Sequence, residues 1–132
     1  MRLEISIDVD DLDRAVRFYC DGLGLLLIER GADWAHVRLG EQTLWLCGFA
    51  VGAPGSVARD FRRHWTPVHL DFLVGDLEET LRRALAAGGR LEGQIRRGER
   101  EPAGLCDVAN LRDPAGNGVD LVHRHGDPRP VA

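Results

Sequence analysis

The strongest constraint on this chain is an internal duplication. Leu3, Ile5, Ile7 and Val9 alternate with Glu4, Ser6 and Asp8. A period of two fits a strand with one apolar and one polar face. Asp11 follows as a helix cap, because its carboxylate can accept the free N–H groups of a first turn. Leu12, Ala15, Val16 and Tyr19 form a helical stripe, and Gly22 and Gly24 stop it. The same grammar returns from Val68. Val68, Leu70, Phe72 and Val74 alternate with His69, Asp71 and Leu73, Asp76 is the cap, and Glu79 completes a capping-box pattern. Leu77, Leu81, Ala84 and Leu85 make the second stripe, which Gly88 and Gly89 end. At an offset of 65 residues, Val9/Val74, Asp11/Asp76, Leu12/Leu77, Arg17/Arg82 and Gly24/Gly89 are identical. Units long enough to hold a strand, a helix and more strands imply tandem duplication.

Further strand signals follow each helix. In the first copy they are 25–29, 34–39 and 43–49, separated by turns at Gly31-Ala32-Asp33 and Gly40-Glu41-Gln42. In the second they are 90–95, 106–111 and 118–123, the last two joined by the turn Asp113-Pro114-Ala115-Gly116-Asn117-Gly118. Each module therefore reads βαβββ. The expected organisation is one α+β domain over 1–132. Module one covers about 1–51, a linker about 52–66, module two about 67–125, and a loose tail 126–132. The linker is expected to carry a helical turn at 58–64, and the charged run 96–101 reads as a solvated loop.

Bulk properties exclude several classes. The net charge of −4 disfavours a nucleic-acid partner, which would require a basic face. All 17 basic residues are Arg, which reads as compositional bias. No run approaches the roughly 20 apolar residues of a membrane span. Acidic residues at Glu4, Asp8, Asp10 and Asp11 break any leader-like segment. Three cysteines without CxxC spacing (Cys20, Cys47 and Cys106) point to a reducing compartment, so a cytoplasmic location is expected.

Three motifs together resemble the vicinal oxygen chelate superfamily, which includes glyoxalase I, extradiol dioxygenases and bleomycin-binding proteins. They are Val9-x-Asp11-Leu12-Asp13-Arg14-Ala15-x-x-Phe18-Tyr19 closing at Leu23-Gly24, His69-Leu-Asp-Phe-x-Val-x-Asp76-Leu77, and Asp113-Pro114-x-Gly116-Asn117-x-x-Asp120-Leu121. The resemblance spans residues 3–124 and implies that the two βαβββ modules form a curled mixed β-sheet cup with helices on the convex side. It says little about the reaction, because one fold hosts many chemistries.

In the metal-bearing members, ligands come from the first and fourth strands of each module. Here those positions read Glu4 and His69, then, by alternation, Trp45 and Asp120. Trp cannot ligate, so the resemblance implies a divalent metal held by Glu4, His69 and Asp120. One imidazole and two carboxylates suit Mn, Fe, Zn, Ni or Mg. His69 and Asp120 are also the catalytic candidates, with Asp120 as base. The run Leu44-Trp45-Leu46-Cys47 is similar to the fosfomycin transferases. Glu4 stands where those enzymes have His, and the loop from Arg96 to Cys106 lacks their serine-rich pattern.

The remaining cup-facing residues are candidate substrate contacts: Trp45 as a wall that stacks a planar substrate, with His36, Arg38, Cys47, Asp71 and Asn110. Ser6 and Asp8 share the face of Glu4. His123 and His125 have HxH spacing, but alternation turns His123 toward the helices. The leading expectation is a glyoxalase-like enzyme of the lyase, isomerase or dioxygenase type, acting on a small oxygenated metabolite. Two alternatives stay open. One is a metal-free protein that sequesters a small molecule, and the other is acid–base catalysis by His69 and a carboxylate without metal. If Arg38 fills the cup, a metal is unnecessary. The resemblance also implies a homodimer.

Overall fold

The computed structural model describes residues 1, 3–53, 59–63, 66 and 68–126. Two mixed sheets appear in it, one per module. Strand β1 (Ile5–Val9) runs parallel to β4 (Gln42–Gly48), with β3 (Trp34–Leu39) and β2 (Leu26–Arg30) outside it, in the order β1-β4-β3-β2. In module two, β5 (Leu70–Leu73) runs parallel to β9 (Gly118–Arg124). Next comes β8 (Gly104–Arg112), whose outer edge takes both β6 (Arg90–Leu91) and β7 (Arg96–Glu101). The expected α+β architecture of two βαβββ modules is the one observed.

Asp11 caps α1 (Leu12–Val16) by accepting from the Arg14 amide at 3.0 Å. The helix then opens into a π-helical turn, Arg17–Gly22, closed by the Leu23 amide on the Phe18 carbonyl. This turn was not expected. It lets the adjacent residues Phe18 and Tyr19 both reach 0% exposure, edge to face at 5.0 Å. Each buried aromatic stabilises the core by roughly 1.5–3 kcal/mol. Asp76 caps α2 (Leu77–Ala86) through the Glu79 amide, but the Glu79 carboxylate grips Arg82 rather than returning to the cap.

The two helices touch through glycine. A Cβ on Gly22 would lie 3.0 Å from the Ala87 Cβ, and one on Gly89 would lie 2.5 Å from the Phe18 ring. The larger apolar core is shared by both helices and the inner faces of both sheets.

Two expectations on the outer edge of module two are corrected. The strand expected at 90–95 stops at Leu91, because Gly93 turns the chain at φ +71°. The charged run expected to be a solvated loop is strand β7. Its backbone groups pair with β8, while Arg96, Arg97 and Arg100 stay in water, so no apolar alternation betrays it. In the linker, residues 59–63 form no helix, and the rest of the expected turn at 58–64 lies outside the described residues. The tail 127–132 lies outside them as well. No helix is long and apolar enough to cross a membrane.

Candidate functional site

Period-two alternation gives each sheet one face toward the helices and one away. In module two the outward face brings three donors together. Asp71 and Asp120 are direct partners across β5 and β9, and Asn110 is the partner of Asp120 on β8. His69, two residues before Asp71, falls on the same side. Its Nδ1 lies 2.7 Å from Asp71 Oδ1 and 3.3 Å from Asp120 Oδ2. One donor atom from each of the three lies within 4.8 Å of the others. The Asn110 side-chain amide donates to the other Asp120 oxygen at 2.6 Å and orients that carboxylate. The Asp120 side chain is 17% exposed, against 52% for His69 and 48% for Asp71.

This donor set fits a divalent ion. Imidazole nitrogen and carboxylate oxygen are its ordinary ligands. The separations of 2.7 and 3.3 Å bracket the ~3.0 Å edge of an octahedral shell with bonds of about 2.1 Å. Glu4 lies outside the trio. It stands just before β1, where the duplication places it opposite His69. Asp71, expected among the substrate contacts, occupies the third place. Its signal was present in the sequence: His-x-Asp on a strand puts both side chains on one face.

Module one presents a different surface at the equivalent positions. Ser6 partners Trp45 across β1 and β4, as Asp71 partners Asp120. His36 on β3 partners Trp45, as Asn110 partners Asp120. The His36 and Trp45 rings stack with centroids 4.3 Å apart and planes 7° apart, and Trp34 leans on Trp45 at 5.7 Å. Arg38 is exposed farther along β3 and does not enter the trio. Cys47 is half-buried on β4, where burial and the nearby Asp8 carboxylate push its thiol up, so it stays protonated and poorly nucleophilic. His123 packs on the helix side, with its Nδ1 3.0 Å from the Val74 carbonyl.

Cavities open along the seam between β1 and β5. One of 340 Å³ is lined by Ser6 and Asp8 on one side and by His69 and Arg63 on the other. A larger one of 470 Å³ is mostly apolar, with Ile5 and Leu44 facing Leu70 and Phe72, and Asp71 at its border. Two half-buried linker arginines flank the seam. Arg59 bonds Asp8 at 2.7 Å and lies over the Phe49 ring at 3.6 Å. Arg63 clasps Glu92 at 2.7 and 3.0 Å, and its charge also acts on Asp120. Neither arginine carried a motif that would mark it.

The seam is tied at one end by a buried carboxylate. Asp113, 2% exposed, accepts from the Tyr19 hydroxyl at 2.9 Å, from the Ala115 and Asn117 amides, and from the Asn117 side chain. The Asn117 side chain also donates to the Asp8 carbonyl at 3.1 Å. Burial raises the Asp113 pKa despite these bonds. The turn motif thus holds the end of β1 and the π-helical turn against module two.

Known structures share the fold. A glyoxalase-related enzyme from Fulvimarina pelagi superposes with a TM-score of 0.70 at 21% identity, over 94% of this chain and 89% of that one. A glyoxalase/bleomycin resistance protein from Albidiferax ferrireducens T118 gives 0.70 at 22% identity, over 94% and 99%. Lactoylglutathione lyase from Agrobacterium tumefaciens gives 0.63 at 26% identity, over 93% and 92%. Among proteins of curated function, none matches the chain in sequence. The glyoxalase-like domain model matches residues 4–122, so the chain belongs to that family and, with it, to the vicinal oxygen chelate superfamily.

Proposed function

We propose that this chain is a glyoxalase-like enzyme acting on a small oxygenated metabolite, with a divalent metal held by His69, Asp71 and Asp120. One observation carries the proposal: an imidazole nitrogen and two carboxylates converge within 4.8 Å beside the seam. Two carboxylates with donor atoms within 4.8 Å of one another, beside an imidazole, favour a cation between them. When bound, such an ion supplies Lewis-acid polarisation of adjacent substrate oxygens. Asp120, oriented by Asn110 and the least exposed of the three, takes the substrate proton. His69, with Nδ1 3.3 Å from Asp120 Oδ2, would hold the ion beside that carboxylate, so that Asp120 also returns the proton to the product.

The test is metal content. Protein purified without chelator should carry close to one ion per chain, and His69→Ala and Asp71→Asn should lose it. No bound ion, and no thermal shift with Mn²⁺, Fe²⁺, Zn²⁺, Ni²⁺ or Mg²⁺, would sink the proposal. A homodimer belongs to the same reading, and a monomer mass at micromolar concentration would overturn that part. Three free thiols are consistent with a reducing compartment.

A second reading has its own support. Trp45, at a fourth-strand position that in metal-bearing members supplies a ligand, is stacked on His36. This favours a metal-free protein that sequesters a flat small molecule. A tight complex with such a molecule, with neither metal nor turnover, would establish it.

A further inference from the structure

We infer that a small pocket ringed by Arg14, Arg90 and Arg112, at the end of the seam that Asp113 ties, binds a tetrahedral oxyanion of the phosphate class. None of His69, Asp71 and Asp120 lines this pocket, so the inference stands independently of the metal proposal above.

Three separate elements supply the arginines. Arg14 lies on α1 in module one, Arg90 starts β6, and Arg112 ends β8. Together they line a pocket of 160 Å³, beside Phe61 and Pro114. Arg90 and Arg112 are direct partners across the ladder of β6 and β8. Side chains so placed have Cβ atoms about 4.5–5.5 Å apart, and like charges there repel. Among the described residues, no hydrogen bond or ion pair reaches the guanidinium of Arg14, Arg90 or Arg112. Their acidic neighbours in the chain are committed elsewhere. Asp13 pairs with Arg30, Glu92 pairs with Arg63, and Asp113 accepts from Tyr19, Ala115 and Asn117.

Two like charges held opposite each other, joined by a third from the other module, carry a cost that a bound anion removes. Size and shape narrow the choice of anion. A pocket of 160 Å³ holds roughly five water-sized atoms, which suits one phosphate group and not a whole metabolite. A tetrahedral oxyanion presents oxygens in every direction and can accept from three guanidinium groups at once. A carboxylate offers only two oxygens, in one plane. Because Arg14 belongs to module one and the other two to module two, the bound anion also joins the modules, next to the Tyr19–Asp113 tie.

The experiment is calorimetric titration of the metal-free full chain with orthophosphate, glycerol 3-phosphate and acetate at fixed ionic strength, read beside thermal unfolding. Phosphate should bind saturably and raise the Tm, and acetate should bind about tenfold or more weakly. Arg90→Gln and Arg112→Gln should each weaken phosphate about tenfold or more, the size of one charge-assisted hydrogen bond. Arg14→Gln should weaken it too. Without phosphate, Arg90→Gln should keep or raise the Tm, because it removes one of two facing like charges. Arg100→Gln, at an exposed position on β7, should leave phosphate affinity unchanged. Tighter binding of orthophosphate would mark a free anion as the ligand, tighter binding of glycerol 3-phosphate would mark a phosphate monoester, and either supports the site. No saturable binding of either probe, equal affinity for acetate, or an equal loss in Arg100→Gln would overturn it.

Discussion

Replacing Tyr19 by Phe deletes one hydroxyl and leaves the packing in place. That hydroxyl ties the π-helical turn to the Asp113 carboxylate at 2.9 Å, and Tyr19 is 0% exposed. A hydrogen bond to a charged, buried acceptor is worth about 1.5–3 kcal/mol. No cavity larger than the lost oxygen forms, so the bond dominates. For a chain of 132 residues that loss corresponds to a fall in Tm of about 5–11 °C. The pH dependence follows from the charge. Burial raises the Asp113 pKa from its ordinary value, and the Tyr19 bond is one of the contacts that lower it. Loss of the bond raises it further. The stabilisation that Asp113 contributes is thus fully present when it is protonated and falls as pH rises through its folded pKa. The Tyr19 bond limits that fall by favouring the carboxylate. The gap between Tyr19→Phe and the parent should therefore be widest near pH 8. It should narrow toward the ~1 kcal/mol of a neutral hydrogen bond as pH drops and Asp113 takes up its proton. Because the pKa is raised, this narrowing begins above pH ~4. Urea unfolding at a series of pH values reads it. A gap under ~0.5 kcal/mol at pH 8, or one that does not change with pH, would refute the reasoning.

Two further outcomes separate the site from its scaffold. Glu4→Gln should leave Mn²⁺ affinity within about threefold of the parent, whereas Asp71→Asn should lower it by tenfold or more, as removal of a carboxylate ligand does; the reverse order in a calorimetric titration would restore Glu4 as the third ligand. Gly89→Ala places a Cβ 2.5 Å from the Phe18 ring and 3.0 Å from the Ala84 carbonyl, so the helix contact must open at a cost of about 1–3 kcal/mol, and an unchanged denaturation midpoint would contradict it.

The parts of the fold that were legible in the sequence are those with a local signal. The alternation of Ile5, Ile7 and Val9 and of Leu70 and Phe72, with Asp11 and Asp76 as caps, marks both strand–helix pairs from nearest neighbours alone. Strand β7 was not legible, because Arg96, Arg97, Glu99, Arg100 and Glu101 are charged on both faces. Its structure comes from the ladder with β8, and no side-chain period records that. The π-helical turn was hidden too, since Phe18 and Tyr19 are buried together only when the turn widens. Tyr19 and Asp113 meet across 94 residues, a distance that no local pattern spans.

The site divides along the same line. Asp71 and His69 share a face by period alone, but their meeting with Asp120 depends on the register of β5 against β9. That register also explains why the two halves of the molecule can differ so much at equivalent places. Ser6, Trp45 and His36 occupy in module one the positions of Asp71, Asp120 and Asn110 in module two. Each of these residues points away from the shared core, so exchanging a carboxylate for an indole leaves the helix-facing packing untouched. A duplicated scaffold thus frees one half to concentrate charge and the other to present a flat ring. Between the two halves runs a seam held at its end by Asp113, which joins the π-helical turn of module one to the turn of module two.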